Sequence, residues 1–150
     1  PPQELTHRKQ HARVIIQPTS SSEDKNWGLE RYTKLSQHLV SAGFEPLFVV
    51  SEPEKSLALP SLIVAPTLAD LATLIYESGY VIGNDSLVGH LASNLNIPTL
   101  ILAGSQKHMQ LWRPGWYPGR VLCPSFWIPK TYWRQGLTPR RAFREFKRLT

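Results

Sequence analysis

Cysteine and methionine are nearly absent from this chain, with Cys123 and Met109 each standing alone. A single cysteine excludes an internal disulfide framework and a cysteine-based zinc site, and it suits a reducing compartment, so the cytoplasm is the expected location. No apolar run approaches the roughly 18 to 20 residues that a bilayer-spanning helix needs, and no charged-then-apolar amino terminus resembles a secretion signal. With its one methionine internal and Pro1-Pro2-Gln3 at its start, the chain is expected to be processed or cut from something larger, leaving a partner domain elsewhere. Acidic residues are also scarce, 11 against 17 lysines and arginines, a formal charge of +6. That imbalance favours an anionic partner, which nucleic acid, an acidic membrane surface or a phosphorylated small molecule would each satisfy.

What the chain does contain is enough apolar residue for one core: 41% of 150 residues is the content of a single ordinary domain. Residues 1–12 are polar and without hydrophobic period, which predicts a linker, and 13–150 read as one domain. A strand is expected over Arg13 to Gln17, broken by Pro18-Thr19-Ser20-Ser21-Ser22. Leu29, Tyr32, Leu35, Ser36, Leu39 and Val40 then share a helix face that Gly43 ends.

The alternation continues. Strands are predicted at Glu45 to Val50, Ser61 to Val64, Tyr80 to Gly83 and Thr99 to Leu102, with helices through Leu68 to Ile75, closed at Gly79, and Ser86 to Leu95. This order predicts an α/β fold, a doubly wound and mostly parallel sheet of the Rossmann kind. After Gly104 the prolines and tryptophans from Trp112 to Trp133 predict a long ordered loop, and Ala142, Phe143, Phe146 and Leu149 a closing amphipathic helix.

In such a sheet, ligands bind beyond the carboxyl ends of the strands. Two of the loops there carry unusual chemistry. Ser20-Ser21-Ser22 with Lys25 precedes the first helix and can hold phosphate oxygens. Gly83-Asn84-Asp85-Ser86 runs from strand into helix, where unpaired amides and the helix dipole favour a diphosphate, Asp85 or Ser86 caps the helix, and His90 lies one turn in. Taken singly, each is an ordinary turn, cap or helical histidine. Glu52 or Glu54, after the second strand, is placed for ribose hydroxyls, and the backbone at Pro66 and Thr67 for a base. The tryptophans are interleaved with prolines and glycines, which resembles packing more than a stacking platform, so no nucleic-acid partner is expected.

In joint order these segments resemble a known family. Ser20-Ser21-Ser22, Lys25-Asn26-Trp27 and Leu29-Glu30-Arg31-Tyr32 are similar to the opening of the carboxy-terminal domain of ADP-heptose lipopolysaccharide heptosyltransferases, glycosyltransferase family 9. Val81-Ile82-Gly83-Asn84-Asp85-Ser86-Leu87-Val88-Gly89-His90-Leu91-Ala92 with Ile97-Pro98-Thr99 resembles that family's Gly-Asn-Asp-Ser block and the strand after it. The resemblance implies one half of a GT-B glycosyltransferase that binds a nucleotide-diphosphate sugar, ADP-heptose by the family's example.

It further implies that Ser20, Ser21, Lys25, Ser86 and the amides of Leu87 and Val88 contact the diphosphate. Lys25 would offset charge on the departing nucleotide as the catalytic contribution of this half, and Asp85 and His90 would lie beside sugar and phosphate. The lipid-linked saccharide acceptor and the proton-accepting carboxylate would belong to the missing amino-terminal domain, leaving this chain inactive alone. No Asp-x-Asp is present to hold a metal under the diphosphate, so neither metal nor cofactor is expected. Arg140, Arg141, Arg144 and Arg148 suggest peripheral contact with anionic lipid at the inner membrane. Two departures stand out. Leu87-Val88 replaces the family's usual Gly-Pro, and Gly28 replaces the proline after its tryptophan. A noncatalytic nucleotide-binding module is the alternative they raise.

Overall fold

The computed structural model of the chain describes residues 4–20, 25–51, 57, 59–84, 87–104, 119–124 and 132–150. Strand β1 spans Gln10–Gln17, helix α1 Leu29–Ser41, β2 Glu45–Val50, β3 Leu62–Val64 and α2 Leu68–Tyr76. They are followed by β4 Ser78–Asn84, α3 Leu87–Asn94, β5 Thr99–Leu102, β6 Gly119–Leu122 and α4 Pro139–Lys147. The strands form one sheet in the order β3-β2-β1-β4-β5-β6. Every neighbouring pair runs parallel. The architecture is the expected α/β doubly wound sheet.

The near-continuous apolar runs of β1 and β4 follow from burial on both faces. Val14 and Ile16 of β1, with Phe48 of β2 and Ile82 of β4, meet Leu35 and Leu39 of α1 and Ala142 and Phe146 of α4 on one face. Ile15, Val49 and Val81 point the other way, against Ile75 of α2 and Val88 and Ala92 of α3. On the first face Phe146 packs edge-on to Phe44 and Tyr80, with ring centroids 5.0 and 5.1 Å apart. The closing helix is therefore anchored by its aromatic stripe as its spacing predicts, with Thr138 capping it by accepting from the Arg141 amide.

Helix ends obey local chemistry. Gly43, at φ +92°, ends α1, its amide bonding Val40 O while the Phe44 amide bonds Leu39 O. That is the Schellman pattern, which needs a left-handed residue. Asn96 at φ +56° performs the same task after α3.

Three features differ from the sequence expectations. Strand β1 begins at Gln10, ahead of the expected Arg13, because a register shift against β4 between Gln10 and Val14 lets the extra residues pair. Gly79 lies inside β4 and does not stop α2, which ends at Tyr76. A Cβ on Gly79 would sit 1.9 Å from the His11 carbonyl oxygen, so the residue is glycine because irregular β1 backbone presses on it. Lastly, β6 lies within the stretch expected to be loop. Its four residues are too few to show a period, yet they extend the sheet beside β5. The remainder of that expected loop, residues 105–118 and 125–131, lies outside the described residues.

Candidate functional site between β1 and β4

Because all six strands run parallel, every strand-to-helix connection leaves from the same edge of the sheet. Across that edge the chain winds from β1 to β2 and β3 in one direction and from β4 to β5 and β6 in the other. The two windings part between β1 and β4, where the following loops diverge to opposite faces and leave a crevice. Ser20 and Lys25 follow β1, and α3 follows β4, so the described residues flanking both unusual loops lie at neighbouring strand ends.

The loop after β1 is tied down from several sides. Ser20 Oγ donates to Asn26 Oδ1 at 2.8 Å, and Arg134 Nε donates to the Asn26 carbonyl at 2.6 Å. Trp27 is buried, its indole Nε1 donating to Leu137 O at 2.9 Å and its ring meeting Tyr32 edge-on at 4.9 Å. Arg31 closes over the Trp27 carbonyl at 3.1 Å. Gly28 then starts α1 at φ +121° with no side-chain cap. Proline is fixed near φ −65°, so glycine is required here and the departure noted in the sequence has a backbone cause.

Opposite this loop, Asn84 ends β4 with its side chain fully buried. Its Oδ1 accepts from the Trp27 amide at 3.1 Å and from the Tyr32 hydroxyl at 2.7 Å, while Nδ2 donates to Pro18 O at 2.9 Å. Burial pushes the Tyr32 phenol well above its ordinary range, so it stays protonated and donates. Sequence reasoning placed Asn84 in the motif without giving it a task. The available signal was an amide closing an otherwise apolar strand, where asparagine is disfavoured. Arg134 carried no local signal, since its partner Asn26 is 108 residues away.

Helix α3 begins at Leu87. The Val88 side chain is fully buried and packs toward Gly83, where an added Cβ would lie 3.1 Å from Val88 Cγ1. Its branched side chain thus belongs to the core. Gly89 is needed because Ile101 Cδ1 would lie 2.7 Å from a Cβ there. His90 is half-buried in the first turn of α3, and Lys25 is exposed.

Thr67 follows β3, two strands from β1 and so about 10 Å along the edge. Its hydroxyl caps α2, accepting from the Asp70 amide at 3.1 Å and donating to Asp70 Oδ2 at 2.7 Å. Ser21, Glu52, Asp85 and Ser86, with Ser22 and Glu54, lie outside the described residues. Among the described residues no three His, Cys, Asp or Glu side chains converge to hold a metal ion, and no helix is long and apolar enough to cross a membrane.

Comparison with known proteins gives this geometry a context. Residues 2–118 match glycosyltransferase family 9 (heptosyltransferase). Lipopolysaccharide heptosyltransferase 3 of Escherichia coli is 27% identical over 114 residues, covering 67% of this chain and 33% of that protein. The chain thus spans about a third of the length of the curated relatives it matches. Among solved structures, E. coli ADP-heptose LPS heptosyltransferase II superposes with a TM-score of 0.75 at 21% identity, over 91% of this chain and 46% of that one. E. coli heptosyltransferase WaaC with ADP-2-deoxy-2-fluoro heptose gives 0.72 at 16% identity, over 93% and 44%. The iron-containing dodecameric glycosyltransferase TibC from enterotoxigenic E. coli H10407 gives 0.69 at 14% identity, over 99% and 46%. At these identities the superpositions establish the fold, and the match over 2–118 establishes the lineage: the chain belongs to glycosyltransferase family 9, the heptosyltransferase family.

Proposed function

We propose that this chain is the donor-binding half of an inverting glycosyltransferase, gripping a nucleotide-diphosphate sugar in the crevice between β1 and β4. The observation that carries the reading is the convergence there of the clamped loop bearing Ser20 and Lys25 with the start of α3. Ser20, Ser21, Ser86, the Lys25 ammonium and the first amides of α3, at Leu87 and Val88, are the diphosphate contacts. An ammonium and helix amides neutralise a diphosphate without a metal. Asp85 and His90 border sugar and phosphate, Glu52 the ribose, and the Thr67 backbone the base.

The donor we assign is ADP-heptose. Support comes from the heptosyltransferase family of the chain and from the neighbour solved with ADP-2-deoxy-2-fluoro heptose. In transfer, an acceptor hydroxyl attacks the anomeric carbon as the bond to the diphosphate breaks, and a carboxylate takes the hydroxyl proton. Lys25 offsets charge growing on the leaving diphosphate. The carboxylate and the lipid-linked saccharide acceptor belong to the amino-terminal half that this reading requires, so the chain alone binds donor and transfers nothing.

Calorimetry of the chain against ADP, UDP and GDP, with and without EDTA, tests this. ADP should bind in the micromolar range, unaffected by EDTA, and Lys25→Ala should weaken it by about 2 kcal/mol, the loss of a charge-assisted contact. Absence of binding at millimolar nucleotide would remove the donor-site reading. An unchanged affinity in Lys25→Ala would displace the diphosphate from this loop.

A further inference from the structure

We infer that Asn84 is a positioning residue for the donor site, a buried carboxamide that fixes the loop carrying Ser20 and Lys25 to the strand end from which α3 departs. The inference rests on the donor-binding reading and adds a residue and a device to it. Three points on the stretch that runs from β1 into α1, each more than 50 residues from Asn84, meet at its side chain: Pro18 just after β1, Trp27 before α1 and Tyr32 within α1. A weaker contact from Nδ2 to Asn26 Oδ1, at 3.4 Å, extends the link to the residue that accepts from Ser20. Asn84 itself lies three positions before α3. One amide therefore ties the stretch from Pro18 to Tyr32 to the end of β4, three positions before α3.

Only an amide satisfies these partners together. Pro18 O is an acceptor and needs a donor facing it, whereas the Trp27 amide and Tyr32 hydroxyl need an acceptor. A carboxylate would turn lone pairs on Pro18 O, and an apolar side chain of the same size would leave three buried polar groups unpaired. A serine or threonine hydroxyl carries its donor and acceptors on one atom close to the backbone, which cannot span the partners that the two arms of the amide reach. The chemistry at the strand end thus selects asparagine, in a sheet position where it is otherwise disfavoured.

The linkage also sets how Ser20 is presented. Its single hydroxyl proton goes to Asn26 Oδ1, which holds the side chain in place until that proton turns to a phosphate oxygen, and Asn26 is in turn held by Asn84 and Arg134. Loosening Asn84 releases the phosphate-facing groups of the loop relative to α3. Binding a diphosphate that spans both then requires reordering them first, and affinity falls without any ligand contact being deleted.

The test uses the whole 150-residue chain with ADP as probe and three variants. Tyr32→Phe removes the hydroxyl donor to Asn84, and Asn84→Asp removes the amide donor at nearly constant shape. Leu39→Val lowers stability from the same helix and core without touching the linkage. Tyr32→Phe and Asn84→Asp should each raise the Kd for ADP about tenfold, the size of one buried hydrogen bond. Leu39→Val should leave it unchanged.

Amide hydrogen exchange in the absence of nucleotide should rise in Tyr32→Phe at Asn26 and Trp27 and at Val88 to His90 together. If Asn84→Asp fails to fold, Tyr32→Phe carries both readouts. An unchanged Kd in Tyr32→Phe, or an equal loss in Leu39→Val, would overturn the positioning role while the donor reading stands. If the parent chain binds no ADP, the donor reading fails and exchange alone decides. Faster exchange on only one wall, or on neither, then overturns the linkage.

Discussion

Tyr32 shows how much one hydroxyl can be asked to do. It is fully buried on α1, stacked edge-on against Trp27, and bonded to Asn84 Oδ1 at 2.7 Å. Removing that hydroxyl should cost about 1 kcal/mol at neutral pH, the usual value of a buried neutral hydrogen bond. The same residue predicts an alkaline weakness. Burial raises its folded pKa above the ordinary value of 10.0, so the folded state keeps the proton where the unfolded chain gives it up. The contribution is whole below about pH 10 and is lost as pH rises through the folded pKa, at up to about 1.4 kcal/mol per pH unit. Denaturant titrations from pH 8 to 11.5 should show the advantage of the parent over Tyr32→Phe shrinking above pH 10. A constant difference would mean the phenol ionises alike in both states.

Among the elements, α4 separates two kinds of arginine that look alike in sequence. Arg141 is turned into the domain, its guanidinium donating to Gly136 O at 3.1 Å and Cys123 O at 3.4 Å, so it joins the helix to the segments before it and after β6. Arg140 and Arg144 are exposed, and Arg148 pairs with Glu145 at 3.6 Å. Replacing Arg141 by Ser should lower unfolding free energy by about 1 to 2 kcal/mol, whereas Arg140→Ser and Arg144→Ser should stay within about 0.5 kcal/mol. The contact with anionic lipid expected from the sequence would rest on the exposed pair. Their joint replacement should weaken binding to anionic vesicles at low salt without a change in melting temperature, and retained binding would remove the membrane role.

These elements also show the reach of pattern. Helices α1 and α4 were legible because their apolar residues recur at helical spacing over two turns or more, and Gly43 stops α1 as its left-handed φ allows. Gly79 looked like the same signal and was not. What demands glycine there is the His11 carbonyl of a strand 68 positions earlier, which no local window contains. Strand β6 was missed for want of length, since its identity comes from pairing with β5.

At the level of the molecule, a single sheet with a core on each face should fold as one cooperative unit, and a ligand bound only by that folded unit must stabilise it. ADP at a hundred times its Kd should add about 2.7 kcal/mol and raise the melting temperature by about 8 °C for a chain of this size. Scanning calorimetry over a nucleotide series checks it. A melting temperature indifferent to ADP at concentrations that saturate the calorimetric isotherm would mean that nucleotide binds the unfolded chain as well. This chain spans 46% of a solved heptosyltransferase, and the proposed function gives it a grip on donor without transfer.

The alternation of apolar runs and amphipathic stretches was enough to specify a doubly wound, mostly parallel sheet, because period and handed connection leave few other ways to bury both faces. The same order put Ser20, Lys25, Val88 and His90 at strand ends, where ligands bind in such folds. Only the tertiary structure decided which ends are neighbours and what holds them. The order β3-β2-β1-β4 sets the loop after β1 against the start of α3. Asn84 and Arg134, acting over 57 and 108 residues, then fix that loop through hydrogen bonds whose partners no sequence spacing announces. The direction of Val88 belongs to the same category, since a branched residue at a helix start faces crevice or core according to the strands beneath it, and here Gly83 opens the core to receive it.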